Sequence, residues 1–456
     1  MIDIQSNSRN IKPGDKFIAL RGILSDGHDY IKKAIENGAS MVIVEEDEEY
    51  GVPSIVVADT REYLNQYLKD NYNKLLEKMN IIGITGTNGK STTAMLIHDA
   101  LNLLNQKTAY IGTIGFYIKE KIIDLPNTTV DICDTYNLLI QAYYAGCKNV
   151  IMELSSHGLA TNRVKNIKFN IGIFTNLTID HLNFHKNMEN YALAKQILFK
   201  QIVENGYAIV NNDDDFKKYF LLEENKNVTY GFNNSDFTVE EVTLSSTNSL
   251  IKYKYLNNIY IVESSLVGKY NVYNLLACIT CLTKLELDQN SINSVIPKLN
   301  APNGRMDKIN FKDNVIIIDY AHSPDSLEKV ISTVNDFTLG NIYVVFGCTG
   351  NGDSEKRPIM TEIVGKYSRK FIITNDDPHF EDTKQIIEDM TKSTKLTNFE
   401  VCLDRKIAIK KGIDLLETND ALLILGKGHE EVMVIKNERI PFNDKKVVLE
   451  YLDIFK

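Results

Sequence analysis

From residue 81 onward, short apolar, β-branched runs alternate with longer stretches whose apolar positions recur every three or four residues. The runs "IIGIT", "TAYIGTIGF", "NVIMEL", "IGIFTNL" and "YAIVNND" predict strands. The stretches between most of them predict helices. In "KSTTAMLIHDALNLL", for example, Met95, Leu96, Ala100, Leu101 and Leu104 are the apolar positions of an amphipathic helix. Strands that are apolar at nearly every position and alternate with helices predict a largely parallel sheet covered on both faces. Residues 227–266 read differently. Apolar and polar positions alternate there between turn residues, which predicts antiparallel hairpins appended to the parallel sheet. A second alternating block begins near residue 301, with "NVIIIDYA", "NIYVVFGCTG", "KFIITNDDP" and "ALLILGKG" as strands, and predicts a separate doubly wound, Rossmann-like domain. At the N-terminus "KFIAL" and "SMVIVEE" flank the amphipathic "DYIKKAIENGA", predicting a small α/β unit.

The pattern therefore predicts an α/β protein of three domains, 1–77, 78–300 and 301–456, and a chain of 456 residues is long enough for that number. A net charge of −9 gives no electrostatic case for a nucleic-acid partner. It does not exclude a local anion site, which works through backbone N–H groups, one or two cations and a metal. The six cysteines are scattered; only Cys278 and Cys281 are spaced C-x-x-C, inside the apolar run "NLLACITCL", and they are expected to be small core residues. Scattered thiols, no signal-peptide core in "MIDIQSNSRNIKPGDKF" and no apolar run of membrane-spanning length lead us to expect a cytoplasmic protein without a membrane partner.

Residues 83–93, "GITGTNGKSTT", join a predicted strand to a predicted helix through a glycine-rich turn. Gly86 and Gly89 let successive N–H groups point inward around phosphates, with Thr87 and Asn88 between them. Lys90 can then reach the β- and γ-phosphates, and the Ser91 or Thr92 hydroxyl can ligate Mg²⁺. The generic phosphate loop would place a glycine at position 84, where this chain has Ile84. A phosphate loop alone names no reaction, because switches, kinases, motors and ligases share it.

Other stretches narrow the choice. "MELSSHGLATNRV" (152–164), "FTNLTIDHLNFHKNMENYALAKQILF" (174–199), "GKYNVYN" (268–274), "NGRMDKI" (303–309), "IIDYAHSPDSLEKV" (317–330), "FGCTGNGDSEKRPIM" (346–360) and "LGKGHEE" (425–431), together with the displaced loop glycine, resemble the Mur ligase family in order along nearly the whole chain. Within that family the likeness is to the members that complete a UDP-N-acetylmuramoyl tripeptide, and "SNSRNIKPGDKFIALRGILSDGHDYI" resembles their UDP-binding domain. The resemblance implies a monomeric ATP- and Mg²⁺-dependent amide ligase of peptidoglycan synthesis. It would add a diamino acid, L-lysine or meso-diaminopimelate, to UDP-N-acetylmuramoyl-L-alanyl-D-glutamate. In such ligases the γ-phosphate of ATP converts a carboxylate into an acyl phosphate, which an amine then attacks; Mg²⁺ and lysine stabilise the charge on the transferred phosphoryl.

Site roles follow from the resemblance residue by residue. Glu153 and His181 would ligate Mg²⁺ with Ser91, and Lys195, as a carbamate, would ligate a second ion. Without the resemblance Glu153 is a strand-end carboxylate and Lys195 a lysine on a solvated helix face; an apolar setting would instead leave some neutral amine to react with CO₂. Asn271 and Asn274 would lie by the adenine, although helix N-capping competes for them. Arg305 would meet phosphate and Asp319 ribose. Ser8, Thr128, Thr129, Ser155 and Arg163 would bind the UDP substrate, and Asp377, His379, Gly426 and Glu430 the incoming amino acid. His185 follows His181 by four residues, a spacing shared with zinc pairs, but no third ligand accompanies it.

The family pattern is broken at several points. Val130 stands in "NTTV" where a proline is usual, and Thr161 stands where a glutamine is usual. Gly352 takes the place of an arginine that clamps the amino acid's own carboxylate, leaving Lys356 or Arg357 as replacements. The motif D-N-P-R, whose arginine marks diaminopimelate enzymes, reads Asp376-Asp377-Pro378-His379. These departures leave open a paralogous ligase with another amine or carboxylate. A nucleotide-gated binding protein is the non-enzymatic alternative.

Overall fold

The computed structural model describes residues 1–22, 25–223 and 226–453 and divides into two compact units. The first comprises residues 1–85, 101–173 and 194–208, and the second residues 86–100, 174–193 and 209–456.

In the first unit, the strands Ile4–Gln5, Lys16–Ile18, Met41–Val44 and Ser54–Val56 pair in chain order as a parallel sheet. Phe17, Val42 and Val44 pack there with Ile31 and Ala34 of the short helix Ile31–Glu36. The helix Thr60–Leu76 follows, capped by Asp59, whose side chain accepts the Glu62 N–H. A second sheet then runs in the order Phe169–Phe174, Asn80–Thr85, Asn149–Glu153, Thr108–Gly112, Gly115–Ile118, Glu120–Ile123. The strands Asn80–Thr85, Asn149–Glu153 and Thr108–Gly112 are parallel, so their C-terminal ends lie side by side. The run "TAYIGTIGF", expected as one strand, is two: Thr108–Gly112 turns at Thr113 and Ile114 and pairs antiparallel with Gly115–Ile118. Apolar residues continue through that turn because Ile114 is buried, which hides the break from the hydrophobic pattern.

In the second unit, Phe237–Leu244, Ser249–Tyr255 and Asn258–Ser264 are the expected antiparallel hairpins. Asn227–Gly231 differs, pairing parallel with Phe237–Leu244. The C-terminal block is a sheet in the order Asp307–Phe311, Asn314–Asp319, Ala421–Leu425, Ile342–Phe346, Lys370–Ile373, Phe399–Val401, parallel except for its first strand. Asp307–Phe311 is a strand that the sequence pattern did not single out.

Alternation explains why these strands are apolar throughout. Ile317, Val344, Leu423 and Leu425 face a core with the helices Pro324–Asn335 and Lys356–Tyr367, whereas Ile316, Ile318, Val345, Leu422 and Ile424 face one with Arg405–Asp414 and Asp444–Leu452. The loops after the five adjacent parallel strands open on one edge, where α/β folds carry ligands. Cys278 and Cys281 are buried in the helix Lys269–Lys284, as core residues.

Candidate active site

The phosphate loop lies in the second unit. Gly86 and Gly89 have φ +148° and +83°, and a Cβ on Gly89 would lie 2.5 Å from Asn274 Oδ1, so the turn is restricted to glycine there. Neighbouring backbone and side chains set its shape. Thr87 N donates to Asn176 O at 2.8 Å, Asn88 N to Asn176 Oδ1 at 2.9 Å, and Thr175 Oγ1 to Asn88 O at 2.7 Å. Lys90 folds back over the turn and donates from Nζ to the carbonyls of Gly86 and Thr87 at 2.9 and 2.8 Å. Ser91 and Thr92 are buried in the first turn of the helix Lys90–Leu103.

A cavity of about 570 Å³ opens beside this loop, and Gly89, Thr92, Asn271, Asn274, Arg305 and Asp319 are among its lining residues. The structure thus brings together the residues expected around ATP. Asn271 and Asn274 lie inside the helix Lys269–Lys284, whose N-cap is Gly268, so neither caps it. Their amides are joined to each other, Asn274 Nδ2 donating to Asn271 Oδ1 at 3.0 Å. The Arg305 guanidinium stacks 4.5 Å over the Tyr320 ring, and Nη2 reaches Ser91 Oγ at 3.5 Å. Among the described residues, the buried Nε of Arg305 and the buried hydroxyl of Tyr270 have no hydrogen-bond partner. Both residues belong to the cavity wall. Asp319, at a strand end, accepts Met306 N at 2.7 Å and Ala321 N at 2.8 Å, which holds the turn that carries Arg305; burial raises its carboxyl against the opposing Arg305 charge.

His181, also in the second unit, adopts φ +56° at the start of the helix Leu182–His185, a backbone state that costs a non-glycine residue roughly 1 kcal/mol or more. Its ring stands 3.6 Å from buried Asp180. Burial raises the Asp180 carboxyl, but Lys356, with Nζ at 3.6 Å, His181 and His322 outweigh it and bring it down to about 2. His185 packs on Tyr191, ring centroids 5.0 Å apart, as an aromatic core member.

The loops after the C-terminal strands carry the residues assigned to the incoming amino acid. Asp377, Gly426 and Glu430 come together there: Lys427 Nζ donates to Asp377 Oδ1 and to Glu430 Oε2 at 2.8 Å each, and Gly426 backs onto Asp376. His379 is tied by its backbone, donating to Val434 O at 3.2 Å and accepting from Lys436 N at 2.7 Å. Arg357 is not available to replace the arginine missing at Gly352. It is buried and donates to Glu381 at 2.6 and 2.7 Å, to Asp389 at 3.0 Å and to Thr349 O at 3.1 Å.

Glu153, Lys195 and the residues assigned to the UDP substrate lie in the first unit. Glu153 is 1% exposed, which removes the surface-carboxylate reading. Tyr110 Oη donates to its Oε1, Thr113 N to the same oxygen at 3.1 Å, and Thr113 Oγ1 to Oε2 at 3.1 Å. The chain continues this network. Thr128 Oγ1 meets Thr113 Oγ1 at 3.0 Å, Thr129 Oγ1 donates to Glu153 O at 3.1 Å and accepts Ser155 N at 2.9 Å, and Arg163 Nη1 donates to Thr129 O at 2.7 Å. Ser155 Oγ caps the helix Ser156–Ala160. Ser8 is buried in the turn Ser8–Asn10, whose neighbours Ser6 and Asn10 reach Asp131 and Asp134. Lys195 is 1% exposed on the helix Met188–Lys200, so it is not on a solvated face. The unusual Thr161 and Val130 serve the local fold: Thr161 Oγ1 donates to His157 O at 2.7 Å, and Val130 is buried.

Residues that the sequence reading missed include Thr113, Asn176, Asp180 and Lys427. Asn176, Asp180 and Lys427 lie inside motifs already singled out; Thr113 gave no signal, since it acts through a partner distant in sequence.

Three family descriptions match the chain. "Mur ligase family, catalytic domain" matches residues 3–85, "Mur ligase middle domain" residues 84–282, and "Mur ligase, glutamate ligase domain" residues 304–428. The chain belongs to the Mur ligase family. It is 38% identical over 451 residues to the UDP-N-acetylmuramoyl-L-alanyl-D-glutamate–2,6-diaminopimelate ligase of Aquifex aeolicus, covering 98% of this chain and 93% of that protein. It is 38% identical over 463 residues to the ligase of the same name from Clostridium perfringens, covering 99% and 95%. A solved structure of a ligase with that name is 30% identical, with TM-score 0.68 over 99% of this chain and 94% of the other. This Mur ligase is thus an ATP-dependent enzyme that forms carbon–nitrogen bonds, with the three-domain α/β architecture of its family. A nucleotide-gated binding protein is set aside.

Proposed function

We propose that this Mur ligase adds a diamino acid, L-lysine or meso-diaminopimelate, to UDP-N-acetylmuramoyl-L-alanyl-D-glutamate, acting as a cytoplasmic monomer in peptidoglycan synthesis. The observation that carries the reading is the cavity beside the phosphate loop, lined by the asparagines, arginine and aspartate expected around ATP in a chain 38% identical to ligases named for that substrate. The domain assignment we favour is UDP-substrate binding by 1–77, nucleotide binding by 78–300 and amino-acid binding by 301–456.

Lys90 is proposed to leave the carbonyls of Gly86 and Thr87 for the β- and γ-phosphates, adding positive charge where the phosphoryl group is transferred. Arg305, with an unpaired Nε, would add a second cation. The donor set assigned to Mg²⁺ is chemically suitable: Glu153 offers a carboxylate oriented by three donors, and Ser91 a hydroxyl oxygen. The ion would neutralise phosphate charge. Lys195 would join the donor set only as a carbamate, and its burial supports this assignment. His181 would offer a ring nitrogen. Excluding water from the cavity protects an acyl phosphate until the amine attacks.

The test is phosphate release from ATP with Mg²⁺ and the UDP-dipeptide. Release that depends on L-lysine or meso-diaminopimelate supports the assignment, and no release with either removes it. A paralogous ligase remains the second reading, favoured by Gly352 and His379; a strong preference for an amine outside the diamino acids would establish it.

A further inference from the structure

The turn after Gly112 places one hydroxyl between the carboxylate assigned to Mg²⁺, Glu153, and a hydroxyl assigned to the UDP substrate, Thr128. Gly112 pairs with Gly115, so Thr113 and Ile114 alone make the turn between Thr108–Gly112 and Gly115–Ile118. The first of these strands lies parallel beside Asn149–Glu153, and the turn wraps the Glu153 side chain at their common end. A Cβ on Gly112 would overlap Glu153 Oε1 and Tyr110 Oη, so the backbone can lie this close to the carboxylate only with glycine there. Thr113 then reaches both oxygens, N donating to Oε1 and Oγ1 to Oε2 at 3.1 Å each. Its hydroxyl also meets Thr128 Oγ1 at 3.0 Å. Thr128 has no other side-chain hydrogen bond among the described residues, whereas Thr129 beside it is buried and fixed to Glu153 O and Ser155 N.

The hydrogens in this chain have a direction. A carboxylate has lone pairs and no proton to give, and a threonine hydroxyl has one proton and two lone pairs. The Thr113 proton therefore points at Glu153, and the Thr128 proton fills the contact with Thr113. In that state Thr128 offers an incoming group lone pairs alone, which repel an anion. A divalent cation at Glu153 draws on the same lone pairs as the Thr113 O–H and repels its positive end. Turned about its C–O bond, that O–H donates to Thr128 Oγ1 instead. The Thr128 proton is then released toward an anionic oxygen of the substrate. Only two hydroxyl hydrogens move.

We propose that Thr113 is a positioning residue that couples the two sites: a cation at Glu153 turns its hydroxyl toward Thr128 and so tightens binding of the UDP substrate. The inference rests on the assignments of Glu153 to Mg²⁺ and of Thr128 to that substrate. By linkage the substrate tightens cation binding by the same factor. Its test is calorimetric titration of UDP-N-acetylmuramoyl-L-alanyl-D-glutamate into the full chain, once with saturating Mg²⁺ and once with EDTA. The Kd in EDTA divided by the Kd in Mg²⁺ measures the coupling. It is expected to be at least about tenfold in wild type, to be kept in Thr113→Ser, and to fall by about fivefold or more in Thr113→Val, which keeps the shape and removes the hydroxyl. Thr113→Ala carries the same expectation should the valine variant not fold. Tyr110→Phe removes another donor to Glu153 and is expected to keep the ratio. A wild-type ratio near one overturns the proposal, as does a ratio unmoved in the variants that lack the hydroxyl, even where both Kd values rise together. An equal fall in Thr113→Ser or Tyr110→Phe also overturns it, because loss of order at Glu153 then accounts for the effect. No binding to wild type in either buffer overturns the substrate assignment beneath the proposal, a result distinct from binding without coupling.

Discussion

Replacing Gly89 by alanine tests whether the phosphate loop is held in shape by the asparagine behind it. Gly89 has φ +83°, and a Cβ there would lie 2.5 Å from Asn274 Oδ1, about 1 Å inside ordinary contact. The left-handed backbone costs an alanine about 1–2 kcal/mol. Relieving the clash displaces Asn274, which accepts Thr93 Oγ1 at 3.2 Å and donates to Asn271 Oδ1 at 3.0 Å. Breaking these buried bonds costs about 1–3 kcal/mol. Gly89→Ala is therefore expected to weaken nucleotide binding by about 2–5 kcal/mol, roughly 30-fold to a few thousand-fold. In an Asn274→Ala background the clash is gone and only backbone strain remains, so the same substitution should cost about 5- to 30-fold. Titrating a fluorescent ATP analogue into wild type, both single variants and the double variant measures the cycle. An equal cost of Gly89→Ala in both backgrounds would refute the reasoning.

Glu153→Gln keeps the shape of a side chain held by Tyr110 and Thr113 but removes the charge proposed to face Mg²⁺. It should lower kcat by about 100-fold or more with nucleotide affinity changed only a few-fold, read by steady-state phosphate release. If Lys195 works as a carbamate, activity should fall in CO₂-free buffer and return on adding bicarbonate, whereas Lys195→Arg should be inactive in both. Glu430 has its carboxyl raised from 4.5 to about 7, and the ionised form is the one that attracts an ammonium. KM for the amino acid should therefore rise by up to about tenfold per pH unit below 7 with KM for ATP unchanged, and Glu430→Gln should abolish that slope. The same shift means that protonated Glu430 favours the fold, a contribution complete below pH 4.5 and lost as pH rises through 7; thermal denaturation of wild type and Glu430→Gln across that range would show it.

What could be read in advance was what the chain encodes locally. A strand, a glycine turn and a helix with its lysine and hydroxyl are contiguous, so the nucleotide loop was legible from eleven residues. The parallel sheets were legible because strands covered on both faces are apolar at every position, as Ile316 to Ile318 show by serving two cores. Pairing across the chain was not legible. The parallel match of Asn227–Gly231 with Phe237–Leu244 and the break after Gly112 depend on partners and turns that leave no periodic trace. Asn271 and Asn274 sit where capping was a competing expectation, and only the start of the helix at Lys269 decides against it. Arg357 offered itself as a replacement cation, yet Glu381 and Asp389, distant in sequence, hold it in an ion-pair network. Lys427 was hidden in a motif whose glutamate drew attention, and its burial against three carboxylates is a property of two loops at once.

The central claim is that a carboxylate is made reactive by taking the γ-phosphoryl group of ATP before nitrogen captures it. Label the acceptor carboxylate of the UDP-dipeptide with ¹⁸O at both oxygens, run the reaction to completion with ATP, Mg²⁺ and L-lysine, and examine the released phosphate by ³¹P NMR. The account predicts phosphate carrying one ¹⁸O atom for each amide formed, because the oxygen that bridges the acyl phosphate departs with phosphorus. Amide formation accompanied by unlabelled phosphate would contradict it.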